Sequence, residues 1–200
     1  MKRKIIVFDL GGVLVVDGVY PMIKHLTEEF FLDYKEVRKF VIKEFNHMFE
    51  GGHTELAFWK KFSRKFGVTT DPRILEKRLN GYYEIKKDTR KLIIKLRKKG
   101  YKVGFLSNSV KEIVSYLENR YKISKLFDFG LYSHTAKTRK PKKKIFRILL
   151  KKAGAKPDEI IFIDDNPKYV MRSRSMGIRT IRFVSATQVA RQLKKSGVGA

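Results

Sequence analysis

From residue 88 onward, short apolar segments alternate with segments of helical periodicity, and this alternation limits the chain to few folds. Four apolar segments, at 102–106, 129–133, 160–163 and 180–183, are separated by stretches whose apolar residues recur every three or four positions. A fifth, at 4–8, is rich in β-branched residues. Strands joined by helices form parallel sheets with helices on both faces. The sequence therefore predicts an α/β protein with a Rossmann-like parallel sheet core.

Residues 18–87 follow a purely helical pattern and are too long for an ordinary crossover between two strands. Their apolar residues repeat at helical spacing, Gly67 stands where a helix would end, and Asp71-Pro72 stands where the next would begin. The predicted organisation is an α/β core of residues 1–17 and 88–200 with an inserted α-helical cap of residues 18–87.

Several kinds of chemistry are excluded by residues that the chain lacks. There are no cysteines, which excludes disulfides, zinc–thiolate sites, iron–sulfur clusters and a cysteine nucleophile. The four histidines never stand four residues apart, which disfavours a histidine metal site. No apolar run approaches the roughly 18 residues of a membrane span, and the run at 5–8 is too short for a signal peptide. We expect a cytoplasmic protein with no membrane partner.

The net charge of +26, from 46 Lys and Arg against 20 Asp and Glu, is extreme for 200 residues. Residues 18–87 are nearly balanced, with 14 bases and 10 acids, whereas the predicted core holds 32 bases and 10 acids. A nucleic acid or another polyanion is therefore a candidate partner of the core. A uniformly basic surface without any specific partner would have the same composition, so both alternatives stay open.

Polar residues terminate three of the predicted strands: Asp9 the first, Ser107-Asn108 the second and Asp164-Asp165 the fourth. Ligands of open parallel sheets bind at the carboxyl ends of the strands, so these groups are expected to converge. Converging carboxylates repel one another and require a cation. Mg²⁺ prefers oxygen ligands, and a lysine could assist. Without a cysteine, or a histidine to activate a serine, a carboxylate is the best candidate for a covalent catalyst.

Four motifs, in this order, resemble those of the haloacid dehalogenase-like (HAD) superfamily. They are Phe8-Asp9-Leu10-Gly11-Gly12-Val13-Leu14, Leu106-Ser107-Asn108-Ser109, Arg139-Lys140-Pro141 and Phe162-Ile163-Asp164-Asp165-Asn166. The helical insertion after the first motif also agrees. The segment from Glu50 to Trp59 resembles a cap segment of the branch that contains sugar-phosphate phosphatases and the N-terminal phosphatase domain of epoxide hydrolases.

The resemblance implies a role for each motif residue. It makes Asp9 the nucleophile that forms an aspartyl-phosphate, and Lys140 the cation between that nucleophile and the phosphoryl group. Ser107 and the backbone of Asn108 would bind the phosphoryl oxygens. The implied ligands of Mg²⁺ are Asp9, the backbone carbonyl of Gly11, and one or both of Asp164 and Asp165.

One position departs from the pattern of most phosphatases of the superfamily, which carry a second Asp two residues after the nucleophile as general acid and base. Gly11 stands there instead. The metal contact uses a main-chain carbonyl and survives, but a proton shuttle typically worth ~10²–10⁴-fold in rate is lost. Phosphatases of the branch that this chain resembles can also have Gly here. Asp17, near the start of the predicted cap, is a weak candidate to replace the missing acid. Asp164-Asp165 argues against the metal-free dehalogenase chemistry of other members.

Other residues have ordinary structural explanations. Ser107-Asn108 could also cap the helix that follows, and Trp59 is expected in the core of the cap. His53 and His134 are expected to be surface or loop histidines. Six of the eight residues 137–144 are basic, and the lysines other than Lys140 favour a solvated face.

The leading hypothesis is a Mg²⁺-dependent phosphatase that hydrolyses a small phosphomonoester, with the cap closing over its substrate. The alternative is a polynucleotide end phosphatase, or a nucleic-acid-binding protein on the same scaffold with catalysis weakened by Gly11. The identity of the substrate and the oligomeric state are left open.

Overall fold

The structure, a computed structural model, describes residues 4–199 and contains a five-stranded sheet. The strands are β1 (Ile5–Phe8), β2 (Val103–Ser107), β3 (Phe129–Tyr132), β4 (Ile160–Asp164) and β5 (Arg179–Arg182). They lie in the order β3-β2-β1-β4-β5, and each neighbouring pair is parallel. The predicted α/β fold with a Rossmann-like parallel sheet is confirmed.

Helices occupy the chain between the strands, as the alternating pattern predicts. They are α1 (Val19–Glu29), α2 (Tyr34–Met48), α3 (Glu55–Phe66), α4 (Pro72–Asn80), α5 (Lys87–Lys98), α6 (Lys111–Tyr121), α7 (Ser133–Ala136), α8 (Lys143–Ala153), α9 (Pro167–Arg174) and α10 (Ala186–Lys195). Two 3₁₀ turns, Ile123–Leu126 and Pro157–Glu159, complete the described secondary structure. The sequence did not predict α7 or these turns, because four residues are too few to establish a period.

The order of the strands places the carboxyl ends of β1, β2 and β4 side by side. β1 pairs with β2 on one side and with β4 on the other, so the chain reverses its direction across the sheet at β1. Ile6 and Phe8 face one buried cluster and Val7 faces another. Both faces of β1 are therefore covered, as its unbroken apolar sequence predicts.

Helices α1–α4 occupy the chain between β1 and α5. Gly67 ends α3 in a left-handed conformation with φ 67°, and the side chain of Asp71 caps α4 by accepting from the Arg73 amide. Trp59 is fully buried among phenylalanine rings, as expected. These elements lie within the predicted cap, and the division into a core of 1–17 and 88–200 and a cap of 18–87 stays a prediction.

Within residues 4–199, the structure has no helix that is both long and apolar enough to span a bilayer.

Helices α1–α4, which we call the helical block, contain two buried acids, Glu44 at 9% exposure and Glu55 at 0%. Glu55, the first residue of α3, is fully buried, and Trp59 Nε1 donates to its Oε1 at 3.3 Å. Its Oε2 has no hydrogen-bond partner among the described residues. Burial raises the pKa of Glu55 to about 8. The carboxyl group is therefore mostly neutral at pH 7.

We expect Glu55→Gln to remove a pH dependence of stability. Between the ordinary pKa of 4.5 and about 8, Glu55 is protonated in the folded protein and ionised in the unfolded chain. The free energy of unfolding therefore falls as the pH rises through this window. From pH 6 to pH 8 the wild type should lose roughly 2 kcal/mol relative to the variant. Urea denaturation at the two pH values measures the difference. If wild type and variant differed in free energy of unfolding by the same amount at pH 6 and at pH 8, the prediction would be wrong.

Candidate active site

The structure brings the predicted site residues together at the carboxyl edge of the sheet. Asp9 directly follows β1, Ser107 and Asp164 are the last residues of β2 and β4, and Asn108 and Asp165 come next. Lys140 reaches the same edge from the loop between α7 and α8. Residues more than 150 positions apart thus form one site because their strands are neighbours.

A buried ammonium group lies between two buried carboxylates at the centre of this site. Lys140 Nζ is 2.8 Å from Asp9 Oδ2 and 2.7 Å from Asp164 Oδ2, and the Lys140 side chain is fully buried. Burial alone would lower the pKa of Lys140, but the two ion pairs outweigh burial and raise it. Burial raises the pKa of Asp9, Lys140 opposes that rise and Asp164 adds to it. The lysine is thus firmly charged.

Three acids form a group with the spacing of metal ligands. Asp9, Asp164 and Asp165 each offer a carboxylate oxygen, and these oxygens lie within 4.8 Å of one another. Gly12 gives Asp165 its room, because a Cβ built there would lie 2.2 Å from Asp165 Oδ2, and its φ of 75° suits glycine. Gly11 is different: a Cβ would meet nothing within 4 Å. Hard oxygen donors in this arrangement suit Mg²⁺.

Asn108 fixes the backbone of Lys140. Its Oδ1 accepts from the Lys140 amide at 2.9 Å, and its Nδ2 donates to the Lys140 carbonyl at 3.1 Å. The buried Ser107 hydroxyl donates to the Asn108 carbonyl at 3.4 Å. Neither side chain caps α6, whose N-cap is Val110 without a side-chain hydrogen bond. The capping alternative is therefore wrong, and Asn108 serves the site.

Tyr169 belongs to the site although the sequence analysis missed it. Asn108 Nδ2 donates to the Tyr169 hydroxyl at 3.2 Å, and Lys140 Nζ lies 4.9 Å from the centroid of the Tyr169 ring. Burial raises the pKa of Tyr169, so the hydroxyl keeps its proton. The tyrosine holds the Asn108 amide and covers the ammonium. Its place just after Asp164-Asp165 was the available signal, but an aromatic residue in a first helical turn usually only packs.

Lys86 was also missed. Its Nζ donates to the Gly12 carbonyl and lies 5.3 Å from the centroid of the Phe183 ring. Its amide donates to the Leu14 carbonyl at 2.7 Å. Lys86 therefore ties the start of α5 to the loop that follows Asp9.

The two histidines differ from expectation in their burial. His53 lies in the loop before α3, as expected, but its side chain is only 12% exposed and its Nε2 is 3.3 Å from Glu44 Oε2. His134 is half-buried in α7, with Nδ1 3.0 Å from the Ser109 carbonyl. Asp17 is exposed and accepts from the Val19 amide at 3.0 Å. Within residues 4–199, none of these contacts involves Asp9, Asp164 or Asp165.

Glu50 joins the helical block to the loop that carries Lys140. It forms ion pairs with Arg139, at 3.8 Å, and with Lys142. Lys142 therefore has a partner and does not belong to a purely solvated run. A cavity of about 520 Å³ opens beside this contact. It is lined by Lys43, Glu44, Asn46, His47, Glu50, Lys61 and Arg139.

The chain belongs to the haloacid dehalogenase-like hydrolases, because the model of that family matches residues 3–170. Its curated relatives include the bifunctional epoxide hydrolase 2 of Rattus norvegicus, 24% identical over 98% of this chain. The chain spans only 39% of that protein's length. The glyceraldehyde 3-phosphate phosphatase of Pyrococcus furiosus is 25% identical over 92% of this chain and 82% of its own.

Solved structures share the same fold. A HAD family enzyme of Bacteroides thetaiotaomicron superposes with a TM-score of 0.81, covering 96% of this chain and 99% of that one at 22% identity. An aspartate-to-alanine variant of that enzyme, in complex with magnesium and inorganic phosphate, gives a TM-score of 0.77 at 26% identity, over 90% and 94% of the two chains. The family and the fold of the chain are thus established, and the chain is an enzyme.

We expect Lys140→Met to destabilise the protein strongly at pH 7, because it leaves Asp9 and Asp164 buried without their cation. Breaking a buried pair in this way costs about 3–5 kcal/mol. The loss should shrink toward pH 4, where a protonated Asp9 no longer repels Asp164. Urea denaturation across this pH range measures it. Lys144→Met, on the exposed face of α8, is the control, and equal losses in both variants would contradict the prediction.

Proposed function

We propose that this hydrolase is a Mg²⁺-dependent phosphatase that acts on a small phosphomonoester through an aspartyl-phosphate on Asp9. The observation that carries the proposal is the Lys140 ammonium between the carboxylates of Asp9 and Asp164. The relatives support it, because one acts on glyceraldehyde 3-phosphate by name and a structural neighbour was solved with magnesium and phosphate.

Asp9 would supply the nucleophile. One of its oxygens attacks the phosphorus atom, the bond from phosphorus to the leaving oxygen breaks, and that oxygen takes a proton from water. Water then hydrolyses the aspartyl-phosphate, which releases phosphate and restores the Asp9 carboxylate. The lysine ion pair keeps Asp9 oriented throughout. Phosphoryl transfer depends mainly on positioning and charge stabilisation, which a buried, prepaired lysine provides.

Ser107, Asn108 and Lys140 would bind the phosphoryl oxygens. The Asn108 side chain holds the backbone of Lys140 through two hydrogen bonds. The backbone of Asn108, which would donate to the phosphoryl oxygens, and the Lys140 ammonium are therefore fixed relative to each other. Tyr169 limits the access of water to the ammonium from one side. Charge developing on the phosphoryl group would thus meet donors that need no rearrangement.

The residues present fit a magnesium ion. Asp9, Asp164, Asp165 and the Gly11 carbonyl would hold it through oxygen atoms, and the room that Gly12 leaves for the Asp165 carboxylate is consistent with this. When bound, the ion would neutralise phosphoryl charge by Lewis-acid chemistry. It would also relieve the repulsion among three carboxylates that a single lysine only partly offsets.

A phosphate-release assay tests the proposal. The wild type and Asp9→Asn are compared on p-nitrophenyl phosphate and a panel of phosphorylated metabolites, with Mg²⁺ or with EDTA. We expect metal-dependent turnover that Asp9→Asn abolishes, since the amide is a poor nucleophile of the same shape. Absence of turnover above the Asp9→Asn background on every substrate would overturn the proposal.

The open space at Gly11 permits a second test. A Cβ at this position would meet nothing within 4 Å, and Gly11→Asp would place a carboxyl group two residues after Asp9. We expect kcat/KM for alkyl phosphates to rise roughly 10-fold or more, within the ~10²–10⁴-fold range of acid–base catalysis. p-Nitrophenyl phosphate, whose leaving group needs no proton, should change little.

Gly11→Asn is the matched control, because it has the same shape and no proton to transfer. An equal gain in the Asn variant would contradict a proton-transfer role for the new side chain.

A further inference from the structure

Two helices that are far apart in sequence form one strongly basic surface. α5 packs beside α10 on the side of the sheet that Ile6 and Phe8 face. We call this surface the α5–α10 face. Its exposed cations are Lys87, Arg90, Lys91, Lys95, Lys98, Arg191, Lys194 and Lys195. Asp88 is the sole acid of the two helices, so the face carries a large local excess of positive charge.

The cations are arranged by the helices and not scattered. On α5 the buried residues Thr89, Leu92, Ile93 and Leu96 lie on one side, and Lys87, Lys91, Lys95 and Lys98 follow one another every three or four residues on the opposite side. The eleven residue steps from Lys87 to Lys98 make this row about 16 Å long. α10 likewise buries Val189 and Leu193 and exposes its three cations. The result is two stripes of charge on adjacent rigid helices.

Within the part of the chain that the structure describes, these charges lack partners. Among residues 4–199, none of the eight cations forms an ion pair or a side-chain hydrogen bond, whereas Arg97 on the flank of α5 pairs with Asp128. Like charges on neighbouring helix turns repel one another. An anionic partner would relieve this repulsion, so the face is poised for a polyanion.

The spacing and the composition favour nucleic acid over a membrane. A duplex carries one phosphate charge per about 1.7 Å of its axis, so a row about 16 Å long can contact several phosphates at once. A helix that lies on a membrane inserts apolar side chains among its basic ones. The exposed large apolar side chains of the described residues lie elsewhere, and none is on α5 or α10.

We propose that the α5–α10 face binds the phosphate backbone of double-stranded nucleic acid, without reading its sequence. This inference goes beyond the proposed hydrolysis and does not depend on it. α5 begins at Lys87, and the residue before it, Lys86, contacts the Gly12 carbonyl near the site, so the rest of the helix extends away from this contact. The face therefore leaves the site free for a small substrate.

Binding of a 20-base-pair DNA duplex and of an RNA duplex of the same length tests the proposal, with affinity measured by fluorescence anisotropy between 50 and 300 mM salt. The face variant is Lys87→Gln, Lys91→Gln and Lys95→Gln combined. The control is Lys144→Gln, Lys151→Gln and Lys152→Gln combined, which removes the same charge from exposed positions of α8. α8 packs on the opposite side of the sheet, which Val7 faces.

We expect the face variant to reduce the slope of log affinity against log salt by about 3, one for each lost phosphate contact, and the control to leave it nearly unchanged. Equal reductions of the slope in the two variants would overturn the proposal, because the protein would then bind the duplex through its overall positive charge and not through this face. Tighter binding to vesicles of phosphatidylglycerol than to either duplex would also overturn it. Thermal unfolding and phosphate release are measured for both variants as well, and we expect neither to change. A loss of binding with both unchanged is then not caused by misfolding, and it is independent of the proposed catalysis.

Discussion

The site depends on one buried ammonium group held between carboxylates from two neighbouring strands. Lys140 has no contact with solvent, and it keeps its charge because Asp9 and Asp164 lie within 2.8 Å. The two carboxylates depend on the lysine in turn, since burying both in the ionised form without a cation between them would be strongly unfavourable. The loop between α7 and α8, the Asn108 amide and the Tyr169 ring all serve to hold this lysine in place.

The sheet determines which residues can meet at this lysine. Placing β1 between β2 and β4 brings three strand ends together, and an apolar strand sequence that ends in a polar residue marks each of them. The sequence therefore sufficed to predict Asp9, Asp164 and Asp165 as neighbours, together with the need for a cation. Periodicity sufficed for the long helices as well, because buried residues recur along each of them.

Tyr169, Lys86 and Glu50 could not be predicted in the same way, because each acts through a contact that no local pattern specifies. Tyr169 meets Lys140 across two loops, Lys86 meets the Gly12 carbonyl from the start of a helix, and Glu50 meets Arg139 from another part of the fold. Pairing of this kind depends on the angles between elements. The same limit hid the α5–α10 face, since composition gives the amount of charge and not its location.

Two adjacent glycines that follow Asp9 and Leu10 illustrate how differently one residue type can be used. Gly12 is required by space, because the Asp165 carboxylate occupies the volume of a side chain there and the backbone is left-handed. Gly11 is under neither constraint, since its side-chain position is open and its φ is ordinary. Space and backbone geometry would thus accept a Cβ at Gly11. The fold therefore does not impose the absence of an acid at this position.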